Sequence, residues 1–340
     1  MTMAKILSDD VTITSWNARG LFHRATTMLN NKLSTLRKVA KRTDVLAIQE
    51  AHGLEGEARR LLLADKHHNM FHFPGETTGS GGLLYLISKK IFEGNVNTET
   101  REIAKGRIAR VSIVNEDGGR HFYNVHNHQL TKAQLDALQE DINSISRRPQ
   151  RDQVLWISGD LNFLPPEETS YKVDGSGPVN HPGNGALDRK WRRLLAHFTE
   201  IGDPCQTTHY NDSNEVTSRL DRIYTSLPAW QLHMAAPTTC VPMAPEYVHH
   251  QGISDHAPVS ITLHANDPLI PSSQPISPGV CEHPRFHFHL ETLTDVSHMD
   301  RMSSEERRLH HKCIIREAAK LTLAEIRADQ LPIMYQNGPL

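Results

Sequence analysis

The segment WISGDLNF, residues 156–163, constrains the fold of this chain more than any other. The apolar run at 154–157 is typical of a short buried strand. It ends in Ser-Gly, and Asp160 and Asn162 then follow two positions apart. If extended geometry persists, residues i and i+2 share one face, so both side chains would point to one spot at the sheet edge. A carboxylate and a carboxamide there suit water activation and phosphate binding, and a simple Asp-x-Asn turn is the structural alternative.

Strand and helix patterns alternate along the first 264 residues. Alternating β-branched residues predict a strand at 11–16, and apolar runs predict further strands at 45–48 and 83–87. Thr131 and Gln134 form a capping-box pattern that predicts the start of a helix. This alternation favours an α/β fold.

Composition limits the classes of protein that the chain can represent. Its 340 residues have a net charge of −2, and basic and acidic residues balance over 1–265, so nucleic-acid binding would depend on local patches.

No apolar run is long enough to span a membrane, and the first residues lack the apolar region of a signal peptide. Four scattered cysteines without a CxxC pair suggest neither zinc nor disulfides. We therefore expect an intracellular protein, nuclear or cytoplasmic, that is not secreted.

The composition changes near residue 266. Five prolines between 268 and 284 predict a Pro-rich linker over 267–302, which follows a first domain at 1–266. Ser303 and Glu306 then form a second capping-box pattern, which predicts an amphipathic helical tail over 303–340. The apolar stripe of this tail consists of Leu309, Cys313, Ala319, Leu323 and Ile326.

Polar side chains that could carry chemistry follow or end several predicted strands. An α/β scaffold that brings acids, amides and histidines to one rim would form an active site there. The carboxylates suit a hard cation, Mg²⁺ with Mn²⁺ as the alternative, and the neutral groups would face a phosphate. The candidates are Asn17, Glu50, His126, His128, Asp160, Asn162, Asp221, Asp255 and His256.

Six motifs occur in an order that resembles the endonuclease/exonuclease/phosphatase superfamily, the group of DNase I and the apurinic endonucleases. The motifs are SWNARG, LAIQE, NVH, GDLN, SRLDRI and SDHAPV. The resemblance covers residues 11–264 and implies a four-layer α/β sandwich, with two mixed β-sheets packed face to face and helices outside. Within this superfamily the chain is most similar to LINE-type retrotransposon endonucleases, on the segments SWNARGL, GSGGLLYLISKKI and TTHY. CEHPRF and the helix containing HHKCIIREAAKLT resemble the connector that precedes reverse transcriptase in these elements.

The resemblance also implies a role for each candidate residue. Glu50 would be the main metal ligand, with Asn17 beside it and Asp255 supporting the metal or a second cation. Asp160 would orient or deprotonate the attacking water, and Asn162 would hold the scissile phosphate. His256 would face that phosphate, positioned by Asp221. His126 stands where apurinic endonucleases have tyrosine and would protonate the leaving 3′ oxygen, and His128 is the alternative for that role.

The expected function is Mg²⁺-dependent phosphodiester hydrolysis, as a DNA-nicking endonuclease of a non-LTR retrotransposon that leaves a 3′ hydroxyl. A phosphomonoesterase or sphingomyelinase-like enzyme is the first alternative, and the lack of a basic surplus favours it slightly. A catalytically silent binding module is the second. We expect a DNA substrate, a monomer without membrane association, and a possible downstream reverse transcriptase in a longer polyprotein.

Overall fold

In a computed structural model of the chain, two compact units are present. The first comprises Met1–Leu227 and Ala235–Ala265, and the second comprises Pro228–Met234 and Asn266–Leu340. Between residues 10 and 264 the structure describes all except 23–25, 55, 57, 59–65, 95, 117, 149–151, 166–167, 180–184, 228–230 and 233–234. Beyond 264 it describes 276, 278–295, 307, 311–312, 314–323 and 325–326.

Sixteen strands occur in the described part of the first unit. In chain order they are β1 (Val11–Asn17), β2 (Val45–Gln49), β3 (His68–Phe73), β4 (Leu83–Ser88), β5 (Asn97–Ala104), β6 (Ile108–Val114), β7 (Gly118–His126), β8 (Asp152–Asp160), β9 (Ser170–Lys172), β10 (Pro178–Val179), β11 (Thr199–Glu200), β12 (His209–Asn211), β13 (Val216–Ser218), β14 (Asp221–Thr225), β15 (Thr238–Cys240) and β16 (Val259–Leu263). Among the described residues of this unit, the helices include α1 (Thr26–Ala40), α2 (Lys132–Ser146), α3 (Gly185–Leu195) and α4 (Pro245–His250), with a 3₁₀ turn at Lys89–Phe92.

These strands form two large mixed sheets and one small sheet. The first large sheet has the order β15-β16-β1-β2-β4-β3, with β1 parallel to β2. The second has the order β11-β14-β8-β7-β6-β5, with β7 parallel to β8. The small sheet, β10-β9-β13-β12, is antiparallel.

The two large sheets pack face to face through buried polar contacts as well as apolar ones. Tyr85 of β4 donates its hydroxyl to the carbonyls of Ala109 and Phe122 in the opposite sheet, at 2.8 Å each. Asn124 of β7 accepts from Gln49 of β2 at 2.6 Å. Buried groups of this kind need partners, so these hydrogen bonds fix how the sheets are paired.

Helices cover the outer face of each large sheet. Leu135, Leu138 and Ile142 of α2 pack in an apolar cluster with strand residues of the second sheet. Leu33 and Leu36 of α1 do the same against the first sheet. The helix–sheet–sheet–helix order confirms the predicted α/β sandwich. None of the helices in the described part of the chain has the length and apolarity that a membrane crossing requires.

The described part of the second unit is helical and has a small apolar core of its own. Helices α5 (Pro278–Cys281) and α6 (Pro284–Asp295) lie inside the stretch that the prolines predicted to be an extended linker. The difference arises because Pro278 and Pro284 stand at the first helical positions, where proline is favourable. Phe286 packs with Ala318 and Ala319, which lie in helical segments of the predicted tail.

The tail therefore buries apolar side chains against α5 and α6. Of the predicted stripe, Ala319 is buried and Leu323 is exposed, while Leu309 and Cys313 lie outside the described residues. The domain boundaries at 266 and 302 stay a prediction.

Candidate active site

The register of the second sheet places three site residues side by side. His126 at the end of β7 and Asp221 at the start of β14 both pair with Asp160, the last residue of β8. Gly159 makes this possible, because its φ is 152° and a Cβ there would lie 1.8 Å from the carbonyl oxygen of Val125. Only glycine allows so close an approach of β8 to β7.

Asn17 joins this row to the first sheet. It is the last residue of β1, and its Nδ2 donates to Asp160 Oδ2 at 3.0 Å and to Glu50 Oε1 at 3.1 Å. Glu50 follows β2 with a φ of 50°, which turns the chain out of the strand. Asn17, Glu50 and Asp160, which the sequence placed at strand ends, are thus in contact at one end of the two sheets.

The ring of His126 lies near the carboxylates of both Glu50 and Asp160. Its Nε2 lies 3.3 Å from Glu50 Oε1 and 3.9 Å from Asp160 Oδ2, and the residue is 2% exposed. Arg107 donates to His126 Nδ1 at 2.6 Å, and since a guanidinium only donates, Nδ1 must be the acceptor. Nε2 is then the ring nitrogen that faces Glu50.

Glu50 is ionised in this setting. Burial alone would raise its pKa, but hydrogen bonds from His126, His52 and Asn17 outweigh that effect and hold the pKa far below the usual range.

Asp221 and His256 form the predicted hydrogen bond, with Nδ1 of the ring 2.8 Å from Asp221 Oδ2. His256 Nε2 then lies 3.8 Å from Asp160 Oδ2. Burial would lower the pKa of His256, but the charges of Asp221 and Asp160 raise it to about 10. Burial, with the charge of Asp221, raises the pKa of Asp160. The charged ring of His256 therefore lies beside Asp160, whose raised pKa makes its carboxylate a better proton acceptor.

Asp255 lies at the edge of this group and has two partners that sequence reasoning missed. Its Oδ2 is 2.5 Å from Arg19 NH1 and 3.9 Å from His209 Nε2. The His209 ring also packs on His256, with ring centroids 4.6 Å apart. The motif TTHY was the available signal for His209, while no sequence pattern indicated that Arg19 would reach a residue 236 positions away.

The two other candidates do not enter the hydrogen-bonded group through their side chains. Asn162 is exposed with a φ of 48°, and its backbone N–H donates to Asp160 Oδ1 at 2.9 Å. His128 is exposed and lies against His126, with ring centroids 5.8 Å apart. Both residues line the rim around Asp160.

The donor set fits a hard divalent cation. Glu50 and Asp160 share one neutral amide donor, and among the described residues neither carboxylate contacts a lysine or an arginine. The charged ring of His256 lies beside Asp160 and Asp221, so negative charge remains at Glu50 and Asp160 that an oxygen-seeking divalent ion can balance. The groups that would hold such an ion are Glu50 Oε2, 3.6 Å from His52 Nε2, and the carbonyl oxygen of the Asn17 side chain, which also accepts from the Arg19 N–H.

A two-sheet sandwich with carboxylates, an amide and a carboxylate–imidazole pair at one end defines a phosphoesterase-type fold. Residues 14–256 match the model of the Endonuclease/Exonuclease/phosphatase family. The chain belongs to this family, which confirms the superfamily resemblance of its motifs.

Solved structures agree with this assignment at the level of the fold. The AP endonuclease LMAP from Leishmania major superposes with a TM-score of 0.58 at 15% identity, covering 76% of this chain and 88% of that chain. TDP2 from Caenorhabditis elegans superposes with a TM-score of 0.51 at 16% identity, covering 78% and 77%. No curated protein matches at the level of sequence.

Proposed function

We propose that the chain is a Mg²⁺-dependent phosphodiesterase that nicks DNA and leaves a 3′ hydroxyl, as the endonuclease of a non-LTR retrotransposon. One observation carries the proposal. A continuous series of contacts links Asp221 to His256, His256 to Asp160, and Asp160 through Asn17 to Glu50. This arrangement supports the proposal, because it would bring a proton acceptor, a charged hydrogen-bond donor and a cation-binding carboxylate around one point.

We assign a separate role to each residue of this series. Asp160 takes the proton of the attacking water, for which its raised pKa suits it. His256, held by Asp221 and charged at neutral pH, donates Nε2–H to a phosphate oxygen. The Asn162 amide, exposed at the rim, binds the scissile phosphate.

Glu50 and Asn17 would hold the cation, whereas Asp255, assigned to the metal from the sequence, has its Oδ2 paired with Arg19. A bound divalent cation supplies positive charge that stabilises the phosphate in the transition state. His126 directs its Nε2 at Glu50 and is almost fully buried, so we assign it the positioning of that carboxylate. The exposed His128 is then the candidate for protonating the leaving oxygen.

The nucleic-acid substrate and the retrotransposon origin are supported by the motif resemblance rather than by charge. Basic and acidic residues balance over 1–265, which leaves a phosphomonoesterase as the alternative. The helices of the second unit occupy the segment that resembles the connector before reverse transcriptase.

The full chain can be incubated with supercoiled plasmid, an inositol phosphate and sphingomyelin, each with Mg²⁺ and with EDTA. We expect nicked plasmid only with Mg²⁺, and nicks that a DNA polymerase extends without prior end treatment. Release of inorganic phosphate or phosphocholine without nicking would support the alternative, and no turnover of any substrate would favour a binding module.

A further inference from the structure

Arg19 lies over Asp255 at the edge of the site. Its side chain is 59% exposed, yet its NH1 lies 2.5 Å from Asp255 Oδ2. A charge-assisted hydrogen bond this short is among the strong polar contacts of proteins.

The backbone of Arg19 is held in place by a buried lysine. Lys32 of α1 is 6% exposed, and its Nζ donates to the carbonyls of Ala18, Arg19 and Gly20. These three bonds use all three N–H groups of the ammonium. Arg19 itself has a φ of 43°, and its N–H donates to Asn17 Oδ1 at 3.0 Å.

The left-handed conformation is unfavourable for a residue with a side chain, and it persists where the surroundings impose it. These contacts fix the backbone of the loop, so the Arg19 side chain is held near Asp255 Oδ2.

A second cation could otherwise bind at this carboxylate. His209, Asp255 and His256 each offer a ligand atom, and these atoms lie within 4.8 Å of one another. Imidazole and carboxylate donors in such a group suit a divalent transition metal, whose binding would release the Nε2 proton of His256. The carboxylate oxygen nearest His209 is the same Asp255 Oδ2 that Arg19 contacts.

We propose that Arg19 is a built-in cation for Asp255, which prevents a divalent ion from binding at His209, Asp255 and His256. The site consequently holds a single divalent cation, at Glu50 and Asn17. This inference rests on the proposed function, because it assumes that the Glu50 side of the site binds a metal. A guanidinium and a divalent ion cannot share one carboxylate oxygen in a half-buried site without strong repulsion.

The number of bound ions can be counted by electron paramagnetic resonance during titration of the full chain with Mn²⁺, without substrate. The wild-type protein should bind one Mn²⁺. Arg19→Gln, which removes the charge from an exposed side chain, should bind two. Arg19→Lys keeps the charge and should bind one, and Arg42→Gln, an exposed arginine on a different loop, should also bind one. Adding His209→Gln to Arg19→Gln should return the count to one.

Two bound ions in the wild-type protein, or one in Arg19→Gln, would overturn the role of Arg19 and leave the proposed function intact. No bound ion in the wild-type protein would contradict both this inference and the metal dependence of the proposed function. Melting temperatures of the variants verify folding, and Arg19→Gln should stay close to the wild type because the side chain is mostly exposed.

Discussion

Asn17 Nδ2 donates to Asp160 Oδ2 at 3.0 Å, across 143 residues of sequence and from one large sheet to the other. This bond links the two large sheets at the candidate site. Since the same nitrogen also contacts Glu50, the positions of the proposed proton acceptor and the proposed metal ligand depend on one amide.

The pair of Asp221 and His256 predicts an alkaline dependence of stability. The folded protein holds the pKa of His256 at about 10, above the unfolded value near 6.5, so the charged ring stabilises the fold fully below pH 6.5 and this contribution is lost as the pH rises through 10. In EDTA, the free energy of unfolding should fall by up to about 1.4 kcal/mol per pH unit in that window.

The control for this dependence is Asp221→Asn, which removes the main charge that raises the pKa of His256. Denaturant unfolding at pH 6.5, 8 and 9.5 should give a shallower slope for this variant than for the wild type. Equal slopes would mean that Asp221 does not keep His256 charged.

Gly159→Ala should be strongly destabilising. A Cβ would lie 1.8 Å from the Val125 carbonyl oxygen, which forces β8 away from β7 next to Asp160. We expect a loss of roughly 3 kcal/mol or more, as for other overpacked and strained positions. Gly79→Ala is the matched control, because a Cβ there meets nothing within 4 Å. Similar unfolding midpoints for the two variants would contradict the close approach of the strands.

His121 predicts an acid dependence of the opposite sign. Burial lowers its pKa to about 4, while its ring nitrogens contact Ser112 and Gln153. The neutral ring stabilises the fold above pH 6.5, and this contribution is lost as the pH falls toward 4.

His121→Leu cannot take up a proton and should show a smaller loss of melting temperature between pH 6.5 and 4.5 than the wild type. His197→Gln replaces an exposed histidine and should leave the pH dependence unchanged. If both variants follow the wild-type curve, His121 is not the group responsible.

Truncation after Pro268 should leave nuclease activity and nearly all thermal stability intact. The first unit contains its own apolar clusters on the outer faces of its sheets, and the second unit has a separate small core around Phe286. Differential scanning calorimetry of the shortened chain measures this directly. A fall in melting temperature of more than about 5 °C would show that the C-terminal segment stabilises the catalytic fold.

The strand and helix patterns predicted an α/β fold, and the motif resemblance predicted the sandwich. Most of the polar site residues could be predicted because buried strands have a recognisable apolar pattern and bring the residues that follow them to one edge. Glu50 and Asp160 were found in this way. Which groups those residues contact could not be predicted, since contacts such as Arg19 with Asp255 join distant parts of the chain. Whether His126 or His128 contacts Glu50 also depended on the register of β7 and β8.

Residues 278–295 show a different limit of sequence reasoning. Their prolines suggested extended chain, but Phe286, Leu290 and Leu293 recur at helical spacing and pack in the core of the second unit. Proline at the first position of a helix is compatible with the helix that follows, so proline content alone did not distinguish a linker from a series of short helices.

The central claim is that the contacts linking Asp221, His256, Asp160, Asn17 and Glu50 carry phosphodiester hydrolysis. The most direct test is the rate of plasmid nicking in Mg²⁺ by the wild type, Asp160→Asn and His256→Ala, with unfolding midpoints measured in parallel. We predict that each variant loses at least about 10²-fold in rate while remaining folded, because Asp160→Asn removes the proton acceptor and His256→Ala removes the charged hydrogen-bond donor to the phosphate. Near wild-type nicking by either folded variant would contradict the account.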